Sequence, residues 1–241
     1  MNKNMFIILL VLLIPLKISA AEVSPLSPVL INLHNQPSLQ RGAKIYINNC
    51  LGCHTLKYQR YSKFVNHLGM SKEAIEKNLI FTTDKNGGPT KIGSLILNSV
   101  DKDTSKEAFG VEPPDLSLVA RSRGPDWVYT FLLSFYKDDT RPLGVNNSLY
   151  PNVSMPHVLW WMEGLKVPVK GSVKEFEYVV AGSLNEKEYK QAITDLVNFL
   201  TYVSEPAKLE RYRIGFWVII FLVLFAFVAY LLKREYWKDV E

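Results

Sequence analysis

Cys50-Leu51-Gly52-Cys53-His54 is the stretch that decides how this 241-residue chain reads. Cys50 and Cys53 are its only two cysteines. A disulfide or a thioredoxin-like redox pair is natural in an exported protein, but such a redox motif follows a strand in a βαβ pattern, and the flanking sequence has none. A zinc site needs four ligands. No second cysteine pair exists, and His34, His67 and His157 are scattered singly. The third reading is C-x-x-C-H, the attachment motif of a c-type haem. Two thiols on one helical turn bond the two vinyl groups, and the adjacent imidazole reaches the iron from the same side. The lone pair, the histidine after it and the export signal described below agree on this reading, with His54 as proximal ligand.

A haem that only transfers electrons needs a second axial ligand. Candidates downstream are His67, Met70, Met155, His157 and Met162. His67 and Met70 stand 13 and 16 residues from His54, too close for the chain to pass easily round the macrocycle edge. Met162 lies in Trp160-Trp161-Met162-Glu163, which reads as a helix start with the methionine in the core. Met155 lies in Tyr150-Pro151-Asn152-Val153-Ser154-Met155-Pro156-His157, a proline-punctuated loop suited to holding a thioether free of helix constraints. From the residues alone Met155 leads, with His157 and Met162 still open. A thioether favours the ferrous state and raises the potential, which fits an acceptor late in a respiratory chain.

Upstream of the motif, Ser38-Leu39-Gln40-Arg41-Gly42-Ala43-Lys44-Ile45-Tyr46 predicts a helix running from an N-cap at Ser38 into Cys50. Gly42 and Tyr46, four apart, share one face. Far downstream, Asn185-Glu186-Lys187-Glu188 opens a second helix with an acidic first turn. Tyr189, Ile193, Leu196, Val197, Leu200 and Val203 follow helical spacing, Phe199 and Tyr202 add aromatic bulk, and Glu205-Pro206 ends or kinks the helix. Two terminal helices crossing near a haem make the small cytochrome c pattern. Between them Lys85-Asn86-Gly87-Gly88-Pro89 reads as a turn, and Val111-Glu112-Pro113-Pro114-Asp115-Leu116-Ser117 as extended at its prolines. Asp126 to Tyr136 reads as a helix with Pro125 near its start. Little other helix is expected, because a large cofactor supplies the apolar centre. The fold class is mainly α: a cytochrome c-like haem domain with long irregular insertions plus one C-terminal transmembrane helix.

The ends of the chain set its topology. Lys3, the 12-residue apolar run Met5 to Leu16, and the small residues Ser19, Ala20 and Ala21 form an export signal over residues 1–21. Ile214 to Leu232 is 19 residues without a charge, long enough to cross about 30 Å of hydrocarbon as a helix. Arg211 and Arg213 precede it, Lys233, Arg234 and Lys238 follow it, and Trp217, Tyr230, Tyr236 and Trp237 lie near the two interfaces. The expected organisation is a signal peptide (1–21), a periplasmic haem domain (22–210), an anchor (211–232) and a cytoplasmic tail (233–241). The protein then sits in the inner, cytoplasmic membrane as a single-pass protein. Most of the net charge of +5 belongs to the ends, because within 22–210 there are 21 Lys and Arg against 20 Asp and Glu. No basic face exists for nucleic acid, and no Ser-His-Asp set, phosphate loop or paired carboxylate stands out.

Several stretches together resemble one family, cytochrome c1 of the quinol–cytochrome c oxidoreductases, in its proteobacterial form. They are Cys50-Leu51-Gly52-Cys53-His54-Thr55-Leu56-Lys57-Tyr58, Pro113-Pro114-Asp115-Leu116-Ser117, Arg121-Ser122-Arg123-Gly124, Thr140-Arg141-Pro142-Leu143-Gly144, and Tyr150 through Trp160. The likeness covers nearly the whole mature chain. It implies thioether bonds at Cys50 and Cys53, axial ligation by His54 and Met155, a haem-propionate partner in Arg121, and a pocket wall at Pro113 and Pro114, with Tyr150 and Trp160 as further wall candidates. It implies one covalent haem c, and electron transfer from a Rieske iron–sulfur protein to a cytochrome c acceptor, beside cytochrome b in the bc1 complex. The chain is then an electron-transfer subunit, not catalytic alone. Two departures stand out. Ser154 occupies a position where relatives often have Gly, and the long acidic runs that steer basic cytochromes in mitochondrial members are missing, which leaves the acceptor unidentified. The rival readings are an independent tethered shuttle, a cytochrome c subunit of a terminal oxidase, and a five-coordinate haem protein.

Overall fold

The structure, a computed structural model, describes residues 25–84, 86–98, 100–169 and 175–238; the export signal expected over 1–21 lies outside the described residues. Helix α1 (Gln36–Asn49) begins at Asn35 rather than at Ser38. The Asn35 side chain accepts from Ser38 N at 3.2 Å, and Pro37 stands in the first turn, where its missing N–H leaves no bond unmade. Ser38 is buried one turn further in, and its hydroxyl donates to Asp195 Oδ1 at 2.6 Å.

After the haem motif the chain runs through short elements: β1 (Leu56–Arg60), α2 (Lys63–Leu68), α3 (Lys72–Asn78), β2 (Leu95–Ile96), α4 (Lys102–Phe109), α5 (Val119–Ser122) and α6 (Pro125–Leu133). Then come β3 (Phe135–Lys137), β4 (Val145–Asn147), α7 (Trp160–Glu163), β5 (Gly164–Pro168) and β6 (Phe176–Ala181). Two long helices finish it, α8 (Glu186–Ser204) and α9 (Lys208–Tyr236). The strands pair antiparallel as β1 with β2, β3 with β4 and β5 with β6. They are too short and too irregular in pattern to announce themselves in the sequence. Of the turn expected over Lys85-Asn86-Gly87-Gly88-Pro89, Lys85 lies outside the described residues; beside it Asp84 N donates to Gly88 O at 2.7 Å and Gly87 has a positive φ of 80°.

The helix expected over Asp126–Tyr136 stops at Leu133. Ser134 N bonds back only three residues, to Phe131 O, and its hydroxyl donates to Thr130 O at 2.6 Å. Phe135 then turns into β3, paired with Asn147. The four-residue spacing of Phe131 and Phe135 looks helical, yet the two rings meet edge to face across that break, with centroids 5.2 Å apart.

Helices α1 and α8 cross at the centre of the fold. Asn185 caps α8 in a reciprocal capping box with Glu188, which supplies partners for two of its first N–H groups. Tyr189, Ile193, Leu196, Val197, Leu200 and Val203 are all buried, as their spacing requires, along with Phe199 and Tyr202. Fully burying such an aliphatic or aromatic side chain contributes about 1.5–3 kcal/mol, so this face is a main source of stability. The crossing point is Gly42. A Cβ there would meet Asp195 O at 2.1 Å and Phe199 Cβ at 2.7 Å. Beside it Arg41 Nε bonds Asp195 Oδ2 at 2.6 Å, and Tyr46 and Phe64 pack against Phe199 with centroids 5.8 and 5.7 Å away.

The last helix is of another kind. From Glu210 to Tyr236 its apolar window has a mean hydropathy of 2.8 and none of it is buried. A helix that is apolar all round belongs in lipid or among other apolar helices, and at ~1.5 Å per residue it reaches across a bilayer. The expected anchor 211–232 lies within it. Glu205 caps α8 and forms ion pairs with Arg211 at the base of α9 and with Arg121, the latter at 3.5 Å.

Candidate functional site

The end of α1 builds the Cys-x-x-Cys-His turn from backbone bonds. Cys50 N and Leu51 N both donate to Tyr46 O at 2.8 and 3.0 Å. Cys53 N and His54 N return to Cys50 O at 3.1 and 2.8 Å. One tight loop therefore carries both sulfurs and the imidazole, and Tyr46 Oη locks it by donating to His54 O at 2.5 Å. Neither cysteine is in a disulfide. Burial, reinforced by neighbouring Cys53, pushes the Cys50 thiol up to about 12, which suits neither a reactive redox thiol nor a metal-binding thiolate. Among the described residues no three His, Cys, Asp or Glu side chains gather as a metal site.

His54 Nδ1 lies 2.7 Å from Pro114 O. A carbonyl only accepts, so Nδ1 carries the hydrogen and Nε2 keeps its lone pair for a metal. Burial lowers the imidazole pKa, against the opposing pull of Pro114 and Asp115, and so favours the neutral form that binds iron. The bond to Pro114 depends on how the 113–117 segment is held, and Asp115 holds it. Asp115 Oδ2 accepts from Thr55 Oγ1 at 2.7 Å and from Lys57 N at 2.8 Å, its Oδ1 accepts from Ser117 N at 3.0 Å, and Leu116 N donates to Thr55 O at 2.9 Å. Nothing in the local sequence marked Asp115 out. Burial works to raise its pKa, but the donors from Lys57, Thr55 and Ser117 outweigh it and the net direction is down from 3.8. A folded pKa below the unfolded one adds stability at pH above 3.8, and that stability is lost as pH falls through the depressed folded value. Asp115→Asn is therefore expected to flatten the loss of stability below that pH and to lower the melting temperature at neutral pH, as read from thermal melts over a pH series.

These elements enclose a cavity of about 560 Å³. Its lining includes Cys50, Cys53 and His54, Met155 with its loop, Pro113 and Pro114, Trp127 and Phe131 of α6, and Leu196 and Leu200 of α8. The volume falls in the range of cofactor sites. Its donor set, one imidazole nitrogen and one thioether with two thiols beside them, is the set a covalent haem uses. The residues fit that group.

The other sequence candidates lie elsewhere. His67 Nδ1 stands 2.8 Å from Tyr202 Oη, Met70 packs against the main core, and Met162 is buried in it. His157 is buried beside Glu163 and Phe135. Tyr150 lines the cavity and Trp160 does not. Arg121 is also absent from the lining and pairs with Glu205, whereas Arg123 lines the cavity with its guanidinium 5.1 Å from the Trp127 ring centre. Both arginines stand in the Arg121-Ser122-Arg123-Gly124 stretch, in which the resemblance assigned the propionate role to Arg121. Arg123→Leu is expected to lower the haem potential by tens of millivolts and Arg121→Leu by less, because Arg123 lines the cavity while Arg121 is paired with Glu205 outside the lining, and a nearby charge at an effective dielectric of about 20 contributes on the order of 1 kcal/mol; potentiometric titration of the two variants compares them.

Two asparagines that the sequence reading passed over shape the Met155 loop. Asn147 Oδ1 accepts from Leu149 N and Tyr150 N, each at 3.0 Å, while its Nδ2 donates to Phe131 O at 2.8 Å. Asn146 Oδ1 accepts from Asn152 N at 2.8 Å. Both are buried, so the Leu149, Tyr150 and Asn152 N–H groups on the way to Met155 find their partners in side chains.

Comparison with known proteins places this geometry. The Cytochrome C1 family matches residues 28–240. Cytochrome c1 of Allochromatium vinosum is 48% identical over 220 residues, which cover 88% of this chain and 88% of that one. The ammonia monooxygenase gamma subunit of Nitrosomonas europaea is 37% identical over 98% of both chains. A chain of a hyperthermophilic respiratory complex III superposes at a TM-score of 0.45 and 16% identity, covering 99% of this chain and 95% of that one, too loosely to argue from.

Proposed function

Because the chain belongs to the cytochrome c1 family, we propose that it passes single electrons from a Rieske iron–sulfur protein to a cytochrome c within a quinol–cytochrome c oxidoreductase. Proteins of this family carry one covalent haem c. The observation that carries the reading is the meeting of Cys50, Cys53, His54 and Met155 around one apolar cavity. When bound, haem c supplies a one-electron Fe(III)/Fe(II) couple.

The chain's own residues hold and tune that group. Cys50 and Cys53 tether it through thioether bonds. His54 would bind the iron through Nε2, its ring fixed by the bond from Nδ1 to Pro114 O. Met155 would offer its thioether as the second ligand, and Arg123, which lines the cavity, would supply a cation to a haem propionate. The apolar wall from α6 and α8 excludes water, which keeps the charge change on one-electron transfer from being swamped by solvent reorganisation. Quinol chemistry belongs to cytochrome b, beside which α9 anchors this chain. The haem domain, residues 22–210, stands in the periplasm after removal of a signal over 1–21, with the anchor over 211–232 and the tail 233–241 in the cytoplasm.

Gentle detergent extraction tests this. Cytochrome b and a 2Fe–2S protein are expected to purify with the chain, and native mass measurement should give their joint mass. Recovery of a lone haem protein would favour a tethered shuttle. The 37% identity to an ammonia monooxygenase gamma subunit raises a second reading, a subunit of a monooxygenase. Oxygen chemistry at this haem would need an open position on the iron, which Met155 from the cavity lining would fill as a ligand; slow or absent carbon monoxide binding by the reduced protein separates the two.

A further inference from the structure

Behind the Met155 loop lies a buried ionic cluster that electron transfer does not itself require. Glu163 ends α7 with its side chain 2% exposed. Its Oε1 accepts from Lys166 Nζ at 2.5 Å, and Lys166 also donates to Leu133 O at 2.7 Å. Its Oε2 stands 2.9 Å from His157 Nε2, a close polar approach out of line with the ring N–H. Burial first, and the Glu163 carboxylate second, push up the phenol pKa values of Tyr178 and Tyr189 on its other sides.

Stability is a weak reason for such a cluster, since replacing a buried ion pair by apolar residues is often neutral or stabilising. Its geometry suggests another role. It ties together α7, the end of α6 through Leu133 O, and the Met155 loop through His157. The His157 ring lies flat on Phe135, with centroids 5.1 Å apart and planes 3° off parallel. Phe135, with Val145 and Val153, forms the apolar group on which Met155 packs. Only Pro156 separates Met155 from His157, and its ring fixes φ. Few free torsions remain between the two side chains.

We propose that Glu163 is a positioning residue for the distal thioether: gripped by Lys166, it fixes His157 and so holds Met155 at the cavity wall. The inference rests on Met155 being the distal ligand. The test uses the full-length, haem-loaded protein in detergent, with two signals: the methionine-to-iron charge-transfer absorption of the ferric form and the fraction of ferrous protein that binds carbon monoxide. His157→Phe keeps a ring against Phe135 and leaves the Glu163–Lys166 pair whole. Glu163→Leu combined with Lys166→Met removes both charges together. Each is expected to weaken the absorption band and to raise the carbon monoxide-binding fraction about tenfold or more. Asp195→Asn, which breaks an ion pair at the α1–α8 crossing, is the control, expected to lower the melting temperature and leave both signals alone. A folded His157→Phe protein with unchanged signals overturns the proposal, as does an equal response to Asp195→Asn. Met155→Leu is measured alongside. If it leaves the band intact, the ligand assignment falls and the inference with it; if it abolishes the band while His157→Phe does not, only the positioning role falls.

Discussion

Met155→Leu keeps its covalent haem and becomes a poor electron acceptor. Leucine nearly matches methionine in volume, so the wall formed with Phe131, Phe135, Val145 and Val153 stays packed. What is lost is the soft sulfur donor that favours the ferrous state. Axial ligands span roughly 0.8 V of potential in haem proteins, and a drop on the order of 0.18 V shifts a one-electron equilibrium about a thousandfold. The pyridine haemochrome spectrum should show an unchanged amount of haem, because Cys50 and Cys53 are untouched. Potentiometric titration should show the drop, and membranes carrying the variant should oxidise quinol at a small fraction of the normal rate. An unchanged potential would move the distal ligand to another residue.

Gly42→Val is expected to undo the crossing of α1 and α8. At 2.1 Å from Asp195 O and 2.7 Å from Phe199 Cβ, an added Cβ meets backbone and the root of a side chain, neither of which swings aside. The helices must separate, and every contact among Tyr46, Phe64 and Phe199 loosens with them. Overpacking a tight core costs about 1–3 kcal/mol even where side chains yield, so about 3 kcal/mol or more is expected here, against a total of roughly 5–15 for a domain. In a domain of this size that lowers the melting temperature by about 6–12 °C. Gly42→Ala should fall between the two, and Gly52→Ala, with open space around its Cβ, should melt close to the unsubstituted protein. Thermal melts of the solubilised full chain measure all three. A Gly42→Val protein that melts like the unsubstituted one would mean that the helices do not cross this closely.

How far each feature was legible follows from the range of the interaction behind it. Helix α8 was legible almost to the residue, because its capping box and its buried face are written in neighbouring positions. Helix α1 was legible except at its start, where Asn35 and Ser38 are both cap-type residues and only the distant Asp195, by taking the Ser38 hydroxyl, leaves Asn35 to cap. The break of α6 at Ser134 depends on Asn147, which pairs with Phe135 from twelve positions away. Asp115, Asn146, Asn147 and Glu163 carried no local signal, because a polar residue meant for the interior looks the same in sequence as one meant for water.

The sequence by itself determined the attachment chemistry and the apolar anchor, because two cysteines and a histidine at fixed spacing, and 19 uncharged residues in a row, act through neighbours along the chain. Only the tertiary structure decided which side chains face the cavity. Arg121 and Arg123 are two positions apart on one short turn, and residues two apart on a helix point to nearly opposite sides. One therefore reaches Glu205 at the anchor and the other the cavity wall. Met155, His157 and Met162 lie within eight residues of each other, and their separation into cavity wall, ionic cluster and core comes from contacts with α6, β3 and α8, segments brought close by burial and by nothing in the local spacing.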